Sequence, residues 1–419
     1  LSGNRGGDAN NVGGAWSDII SDFMEYTENA PSPEIFRLWS AISLVGGACE
    51  RRIWTISGEQ LNFPSLYVLL VGRPGTGKSI INTVKDLWRD VVKPKSTETA
   101  LHVASDSLTR ASLIDELADS TTKRIVKFDT FTYHSLLVAA EEFEVLLPTY
   151  DSPFISVLND LWNVKPWHIE KRRHGPAKVV TIENPQLHLL GGVQPAYFTG
   201  HWQEQAWSTG LARRAIMIYA AAGPRKNPFQ KAPNRQVLKN KILKRLSYIS
   251  EIYQEVRTPP AVERRMLDWY DAGCPPEPDH SKLASYNTTR FEFLIKLSLI
   301  SCVSRVGGSD MAIDEYDVTR ALGWLLQAEK YMSDIFTEMA GRSDGQVLEE
   351  FHRYVMRIWT QTRAPIKTSI LIEFLSMQLP SDKVHRNLQV AVDRGIIARA
   401  PNTVDSWLPR PNLRLIHGE

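Results

Sequence analysis

Gly72-Arg73-Pro74-Gly75-Thr76-Gly77-Lys78-Ser79 follows the apolar run Leu66–Val71 and opens a helix-like stretch from Ile80 to Val91. A buried strand, a glycine-rich turn and a helix start, in that order, aim a row of backbone N–H groups into one concavity. That geometry binds phosphate, with Gly72, Pro74, Gly75, Thr76 and Gly77 shaping the loop. Lys78 is expected to reach the terminal phosphates and Ser79 to hold a magnesium ion, so ATP and Mg2+ are the expected cofactors.

Strands and helices alternate on both sides of this loop. Arg51–Ser57 and Phe63–Val71 read as strands around a turn at Gly58. Downstream come His102–Ala104, a helix over Leu108–Asp119, Ser135–Ala140, a helix over Phe154–Trp162, His188–Gly191 and Ile216–Ala221. Such alternation predicts an α/β fold with a parallel sheet flanked by helices. Upstream, Trp16–Tyr26 and Pro33–Val45 carry helical apolar spacing, with Ser32 as the expected N-cap before Pro33. After the polar stretch Pro224–Asn240, the segments Val237–Val256, Ala261–Ala272, Asn287–Val306 and Asp314–Phe336 are periodic and helical. A second hinge is expected at Gly341–Gly345. Three helices over Val347–Thr360, Lys367–Met377 and Ser381–Arg394 then precede short extended pieces at Ile396–Ala400 and Ser406–Leu408, around a turn at Asn402. These are the elements of a winged helix.

Composition narrows the class. The chain has 419 residues, 43% hydrophobic and 23% charged, enough for about two to three domains with sizeable cores. A net charge of +2 leaves any nucleic-acid footprint to local patches. Cys49, Cys274 and Cys302 show no paired spacing, which argues against zinc and against a disulfide framework and fits a reducing, cytoplasmic compartment. Leu66–Val71 is too short to span a bilayer, so no membrane partner is expected. Leu1–Gly14, rich in Gly and Asn, reads as a flexible tail or linker with room for a domain before it.

Leu136-Leu137-Val138-Ala139-Ala140-Glu141-Glu142-Phe143 is an apolar strand ending in two carboxylates. Hydrolysis of a nucleoside triphosphate needs one acid in the magnesium shell, the role expected of Glu141, and another to polarise water, expected of Glu142. Gln194 closes a strand expected beside the Glu141 strand and could orient the lytic water. Arg213 and Arg214 precede the apolar strand Ile216–Ala221.

Together these elements resemble the AAA+ ATPase core of the minichromosome maintenance (MCM) helicases, from about Phe63 to Glu329. That family's phosphate loop has the form G-x-P-G-T-x-K-S, as at Gly72–Ser79. Its second motif, apolar residues then D-E-F, is similar to Glu141-Glu142-Phe143. Its Asn-Pro sensor is similar to Gln194-Pro195, and its L-L-S-R finger to Gly210-Leu211-Ala212-Arg213. Its second sensor, T-x-R-x-L-E before a D-V-x-x-A-L element, resembles Thr288-Thr289-Arg290-Phe291-Glu292 and Asp317-Val318-Thr319-Arg320-Ala321-Leu322. The resemblance implies a hexameric ring with ATP at subunit interfaces. Arg213 would serve the neighbour's ATP, and Arg290 would contact the γ-phosphate from a helical lid.

It divides the chain into a tail (1–14), a helical N-terminal collar (15–60), an AAA+ core (61–223), an all-α lid and linker (224–340) and a winged helix (345–419). Glu141 stands where the family has Asp, Gln194 where it has Asn, and Arg214 where it has an aromatic, so either arginine can be the finger. No counterpart of the family's N-terminal oligonucleotide-binding and zinc-bearing domain precedes the core. In this the chain is similar to the MCM-like helicases of phages and mobile elements, often fused to or encoded beside a primase.

Trp167–Val180 reads as a hairpin with a basic tip, Lys171-Arg172-Arg173. In the MCM family a hairpin at this point contacts the DNA backbone inside the ring, so these three residues are the expected DNA contacts. A second basic stretch, Thr121–Tyr133, with Lys123, Arg124 and Lys127, is read as an exposed loop or channel insert. Lys383, His385, Arg386 and Arg394 on the last helix would face DNA or a protein. The expected activity is ATP-driven translocation on single-stranded or forked DNA during replication of a phage or mobile element in a bacterial host. The alternatives are a non-translocating AAA+ initiator or loader, and an ATP-gated winged-helix regulator.

Overall fold

The computed structural model describes residues 17–410, apart from 107, 127, 148–150, 172–178, 202–206, 208–209, 228, 231–233, 309, 340–343, 377–378, 380, 402 and 404. The chain divides into two compact units, Leu1–Phe336 and Thr337–Glu419. Its class is mixed α/β, as expected.

The first unit is organised by a five-stranded sheet in the order Thr121–Val126, Asp129–Ala140, Pro185–Val193, Tyr67–Val71, Ala215–Tyr219. The last four strands run parallel, and Thr121–Val126 adds an antiparallel edge. Tyr67–Val71 and Pro185–Val193 are buried at every position, because a central parallel strand is covered on both faces. Tyr67–Val71 is accordingly an unbroken apolar run, whereas Pro185–Val193 also buries Gln186 and His188. Register aligns the carboxyl ends: Val71 pairs with Val193 and with Tyr219, and Ala140 with Gly191. Gly72, Glu141 and Gln194 therefore leave the sheet at the same edge, where ligands of parallel α/β sheets bind.

Two expectations change here. His102–Ala104 adds only a single bridge, Val103 to Leu137. Thr121–Val126 is half of a regular hairpin with Asp129–Ala140, not a loop. Arg124 donates from Nη1 to the Glu251 carbonyl at 3.0 Å and from Nη2 to the Ser250 carbonyl, so it is committed to its own chain. Lys127 lies outside the described residues.

The helix Glu34–Cys49 packs under the sheet with most of its residues buried. Its N-cap is Pro33, one residue later than expected, and no side chain caps it. Ser32 is displaced from that role, and its hydroxyl is buried with no hydrogen-bond partner among the described residues. Beyond the sheet lie the helices Arg235–Ile249, Pro260–Asp271, Arg290–Arg305 and Glu315–Glu329. Asp314 and Asp317 form a capping box at the start of the last of these. The expected helical continuation to Val256 stops at Ile249, and Gln254–Glu255 instead joins Ile53–Ser57 and Gln60–Asn62 in a small sheet. No helix among the described residues is long and apolar enough to cross a membrane.

In the second unit, helices Asp344–Thr362, Thr368–Ser376 and Ser381–Asp393 accompany an antiparallel sheet of Ile366–Lys367, Ser406–Pro409 and Ile397–Arg399. Phe351, Val355, Leu371, Leu375, Ala391 and Trp407 share its core. Trp407 Nε1 donates to Thr368 Oγ1 at 2.7 Å, which pins the sheet to the second helix. The turn residue Asn402 is outside the described residues.

Candidate functional site

The phosphate loop is shaped by two left-handed glycines, Gly75 at φ +79° and Gly77 at φ +94°. Both conformations strain any residue with a Cβ. Gly77 has a second reason to be bare: the Pro31 carbonyl lies directly over it, and a Cβ would collide with that oxygen. The N-terminal helical segment thus forms one wall of the loop. Thr76 N donates to the Arg73 carbonyl at 3.2 Å, closing the turn, and Gly72 N ties the loop to Val193 at 3.0 Å. Among the described residues, the N–H groups of Gly75, Gly77, Lys78 and Ser79 make no hydrogen bond, which leaves a cluster of donors at a helix start.

These donors face a cavity of about 400 Å³ lined by Gly75, Lys78, Ser79, Glu141, Glu142, Glu144 and Gln194, among others. Lys78 Nζ donates to the loop's own carbonyls, Gly72 at 2.7 Å and Arg73 at 3.0 Å. Partial burial lowers its pKa, while Glu144, Glu141 and Glu142 oppose that shift. Glu141 Oε2 accepts from Asn82 Nδ2 at 2.6 Å. Asn82 sits on the helix Ile80–Asp90, so the acid strand and the phosphate-loop helix are tied at the site.

The glycines before Gln194 have a steric cause. A Cβ at Gly192 would strike the Glu141 carbonyl, and one at Gly191 would come within 3.1 Å of Phe143 and Leu69 side chains. Gln194 N donates to Glu144 Oε1 at 3.3 Å, fixing the turn after its strand.

Sequence reading missed three residues of this site: Glu144, Asn82 and Pro31. Glu144 could have been suspected from the third carboxylate in Glu141-Glu142-Phe143-Glu144, since a helix start brings such groups together. Nothing in the local pattern marks Pro31.

Three carboxylates and one lysine make a cavity that repels a bare polyanion. A divalent cation would correct that balance. Magnesium keeps most of its waters and takes one or two protein oxygens besides substrate phosphates, so an exposed Ser79 hydroxyl and the Glu141 carboxylate are a fitting donor set. No cluster of three or more metal-ligating side chains occurs among the described residues, and this site does not require one.

The arginines fall elsewhere. The helix Gly210–Arg214 feeds the amino end of Ala215–Tyr219, and Ala215 pairs with Tyr67. Arg213 and Arg214 therefore lie at the edge of the sheet opposite the phosphate loop, a five-residue strand away, about 16 Å. Arg214 donates to the Gly210 carbonyl and to Asn163 Oδ1, each at 3.2 Å, and burial lowers its pKa. Arg213 Nε is buried with no hydrogen-bond partner among the described residues.

Arg290 corrects an expectation. It is fully buried, with Nε and Nη2 on the Glu329 carboxylate at 2.8 and 2.7 Å, Nη1 on the Cys274 carbonyl and Nη2 on Pro276. Tyr286 donates to Glu329 Oε1 at 3.0 Å. The side chain that was to reach the γ-phosphate instead locks two helices together, and it does not line the phosphate cavity.

The expected hairpin forms from Trp167–Lys171 and Val179–Glu183, paired antiparallel. Arg110 to Glu170 at 2.8 Å and His168 to Asp160 at 2.9 Å anchor one face. Trp167, Ile169 and Val179 leave the other face exposed. Lys171 ends the first strand; Arg172 and Arg173 lie outside the described residues. In the second unit Lys383, His385 and Arg386 are exposed on Ser381–Asp393, and Arg394 is exposed just past its end.

Comparison with protein-family models finds no match, and neither does comparison with curated proteins.

Proposed function

We propose that this chain is an ATP-hydrolysing AAA+ protein of the MCM-like type, working as a hexameric ring that translocates on single-stranded or forked DNA. The observation that carries the reading is the convergence of Lys78, Ser79, Glu141, Glu142 and Gln194 on one cavity at the carboxyl edge of the sheet. Magnesium, when bound with ATP, would neutralise phosphate charge between Ser79 and Glu141. Lys78 would turn from its loop carbonyls to the β- and γ-phosphates. Glu142, free of the Asn82 contact that holds Glu141, would polarise the attacking water, and the Gln194 amide would orient it.

The position of Arg213 supports the ring. At the far edge of the sheet it cannot serve its own chain's phosphate, and only a neighbour's cavity could use it. Arg214 is held by its own chain, so Arg213 is the proposed finger. The three helices and three-stranded sheet of the second unit fit a winged helix, the segments before the sheet a collar, and the helices after it a lid. A primase is the proposed partner, and the cytoplasm of a bacterial host the proposed setting.

A helicase displaces strands, and a fork assay with 3′ or 5′ tails tests that. ATP-dependent displacement is expected, with Lys171/Arg172/Arg173→Ala keeping basal hydrolysis and losing its stimulation by DNA. Strand displacement left intact by that triple change refutes the hairpin as the DNA contact. The exposed basic face of Ser381–Asp393 favours a second reading, an initiator that organises on duplex DNA. Tighter binding to duplex than to single strands, with no displacement, would select it.

A further inference from the structure

A second cavity, of about 870 Å³, adjoins the phosphate site and shares Pro31 with it. Its walls come from the end of Ile19–Tyr26, from the turn around Asn227 and from the start of Arg235–Ile249. Thr83 also lines it, and Thr83 follows Ser79 by one helical turn, about 6 Å along the same face. The two cavities are therefore neighbours along one helix.

The lining chemistry is distinct from that of the phosphate cradle. The Arg235 guanidinium carbon lies over the Tyr26 ring, 5.3 Å from its centre, so a cation faces an aromatic ring on one wall. Phe229 is 89% exposed, an aromatic ring held in water on the rim. Its backbone is fixed: Phe229 N donates to Asn227 Oδ1 at 3.0 Å, and Gln230 N to the Asn227 carbonyl at 3.2 Å. With its carbonyl oxygen used in this way, the Asn227 amide keeps its NH2 group to donate into the cavity. Asn29 and Gln230 add amides that can donate or accept. Lys226 and Arg235 are the cations, and among the described residues no carboxylate lines the space.

We propose that this cavity seats the base and ribose of the nucleotide whose phosphates occupy the Lys78 cradle, with Phe229 stacking on the base. The proposal rests on reading that cradle as a triphosphate site. The exposed Phe229 ring and the Tyr26–Arg235 cation–π pair suit the π-face of a purine. Selecting guanine alone calls for a fixed acceptor facing its N1–H and N2–H groups; the amide held in place, Asn227, offers a donor, and Asn29 and Gln230 can turn either way. The site accordingly takes ATP and GTP with little distinction.

Calorimetric titration of the full chain with MgATP, MgGTP and inorganic tripolyphosphate separates the two cavities. Tripolyphosphate reports on the cradle alone. ATP is expected to bind about tenfold tighter than tripolyphosphate, from one stacked base. GTP should fall within about threefold of ATP, as adaptable amides discriminate weakly. Phe229→Ala, on an exposed ring that folding does not need, should cost ATP and GTP that tenfold advantage and leave tripolyphosphate unchanged. Lys78→Ala should weaken all three ligands. ATP affinity indifferent to Phe229→Ala, or equal to that of tripolyphosphate, overturns the base seat while the cradle stands. GTP bound or rejected a hundredfold differently from ATP overturns the relaxed selectivity. Failure of the wild-type chain to bind either ATP or tripolyphosphate overturns the cradle, and the base seat with it.

Discussion

Lys78 and Arg290 are both cations among glutamates, yet they occupy opposite kinds of surroundings. Arg290 is sealed from water and spends its donors on Glu329 and on the carbonyls of Cys274 and Pro276. Lys78 stands at the mouth of a cavity; among the described residues it bonds two carbonyls of its own loop, with three carboxylates near it and a row of N–H donors left without partners. A saturated buried pair stabilises one geometry. A charged group with unused neighbours is prepared for something that arrives. The first is architecture and the second, under the proposed function, a phosphate site, although the sequence motifs point both residues at one nucleotide.

The contrast can be broken most forcefully at the cavity. Lys78→Ala and Glu142→Gln should each reduce ATP hydrolysis by about 10³-fold, as loss of a preorganised group at a reacting phosphate does. Their thermal melting should stay close to wild type. Phosphate release alongside a melting curve checks both halves, and an unfolded Lys78→Ala protein would erase the distinction.

Arg290 should behave in reverse. Glu329→Ala strands a buried guanidinium and is expected to destabilise the first unit by about 3–5 kcal/mol in denaturant titration. Replacing both partners, Arg290→Met with Glu329→Leu, should recover most of that loss. A double variant as unstable as Glu329→Ala would mean that the pair does more than satisfy itself.

A third test uses pH. His188 is buried, its Nε2 2.7 Å from Ser43 Oγ and its Nδ1 accepting from Leu66 N at 3.2 Å. Burial, aided by Lys296, pushes its pKa down to about 3 from an ordinary 6.5. The unfolded chain then takes up a proton below 6.5 that the folded chain refuses. Stability is full above that pH and falls as pH drops toward 3, by up to about 1.4 kcal/mol per unit. Urea midpoints between pH 7 and 5 should decline, and His188→Gln should flatten the decline.

The smallest effect separates two adjacent arginines. Arg214→Ala removes two internal hydrogen bonds and should cost about 1–2 kcal/mol of stability. Arg213→Ala should cost less, under about 1 kcal/mol, because this half-buried side chain makes no hydrogen bond among the described residues. The proposed finger role adds that Arg213→Ala impairs hydrolysis more than Arg214→Ala does. Equal stability losses would leave the finger unassigned.

What the sequence made legible was whatever depends on neighbours along the chain. The phosphate loop, the acidic strand end and the strand carrying Gln194 all rest on local apolar runs and glycines, and the sheet register then brings their ends together. What stayed hidden depends on distant partners. Arg290 turns inward because Glu329, on another helix, meets it there. Ser32 loses its cap because Pro33 takes that position and the chain must run against Gly77. Thr121–Val126 looked like a loop because its charged residues suit an exposed edge strand equally well. Glu144 entered the site only because its neighbouring turn bends it toward Gln194.

The separation of Arg213 from the phosphate loop has a further consequence in terms of symmetry. If one end of the sheet completes a site at the other end of the next copy, the contact is heterologous, head to tail, and does not pair with itself. Dimers related by a twofold axis are then unproductive. The angle between the two surfaces decides whether copies close into a ring or run on as a filament. Mixing subunits that carry Lys78→Ala with others that carry Arg213→Ala would rebuild one intact junction where two damaged chains meet, so activity would depend on which copies are neighbours.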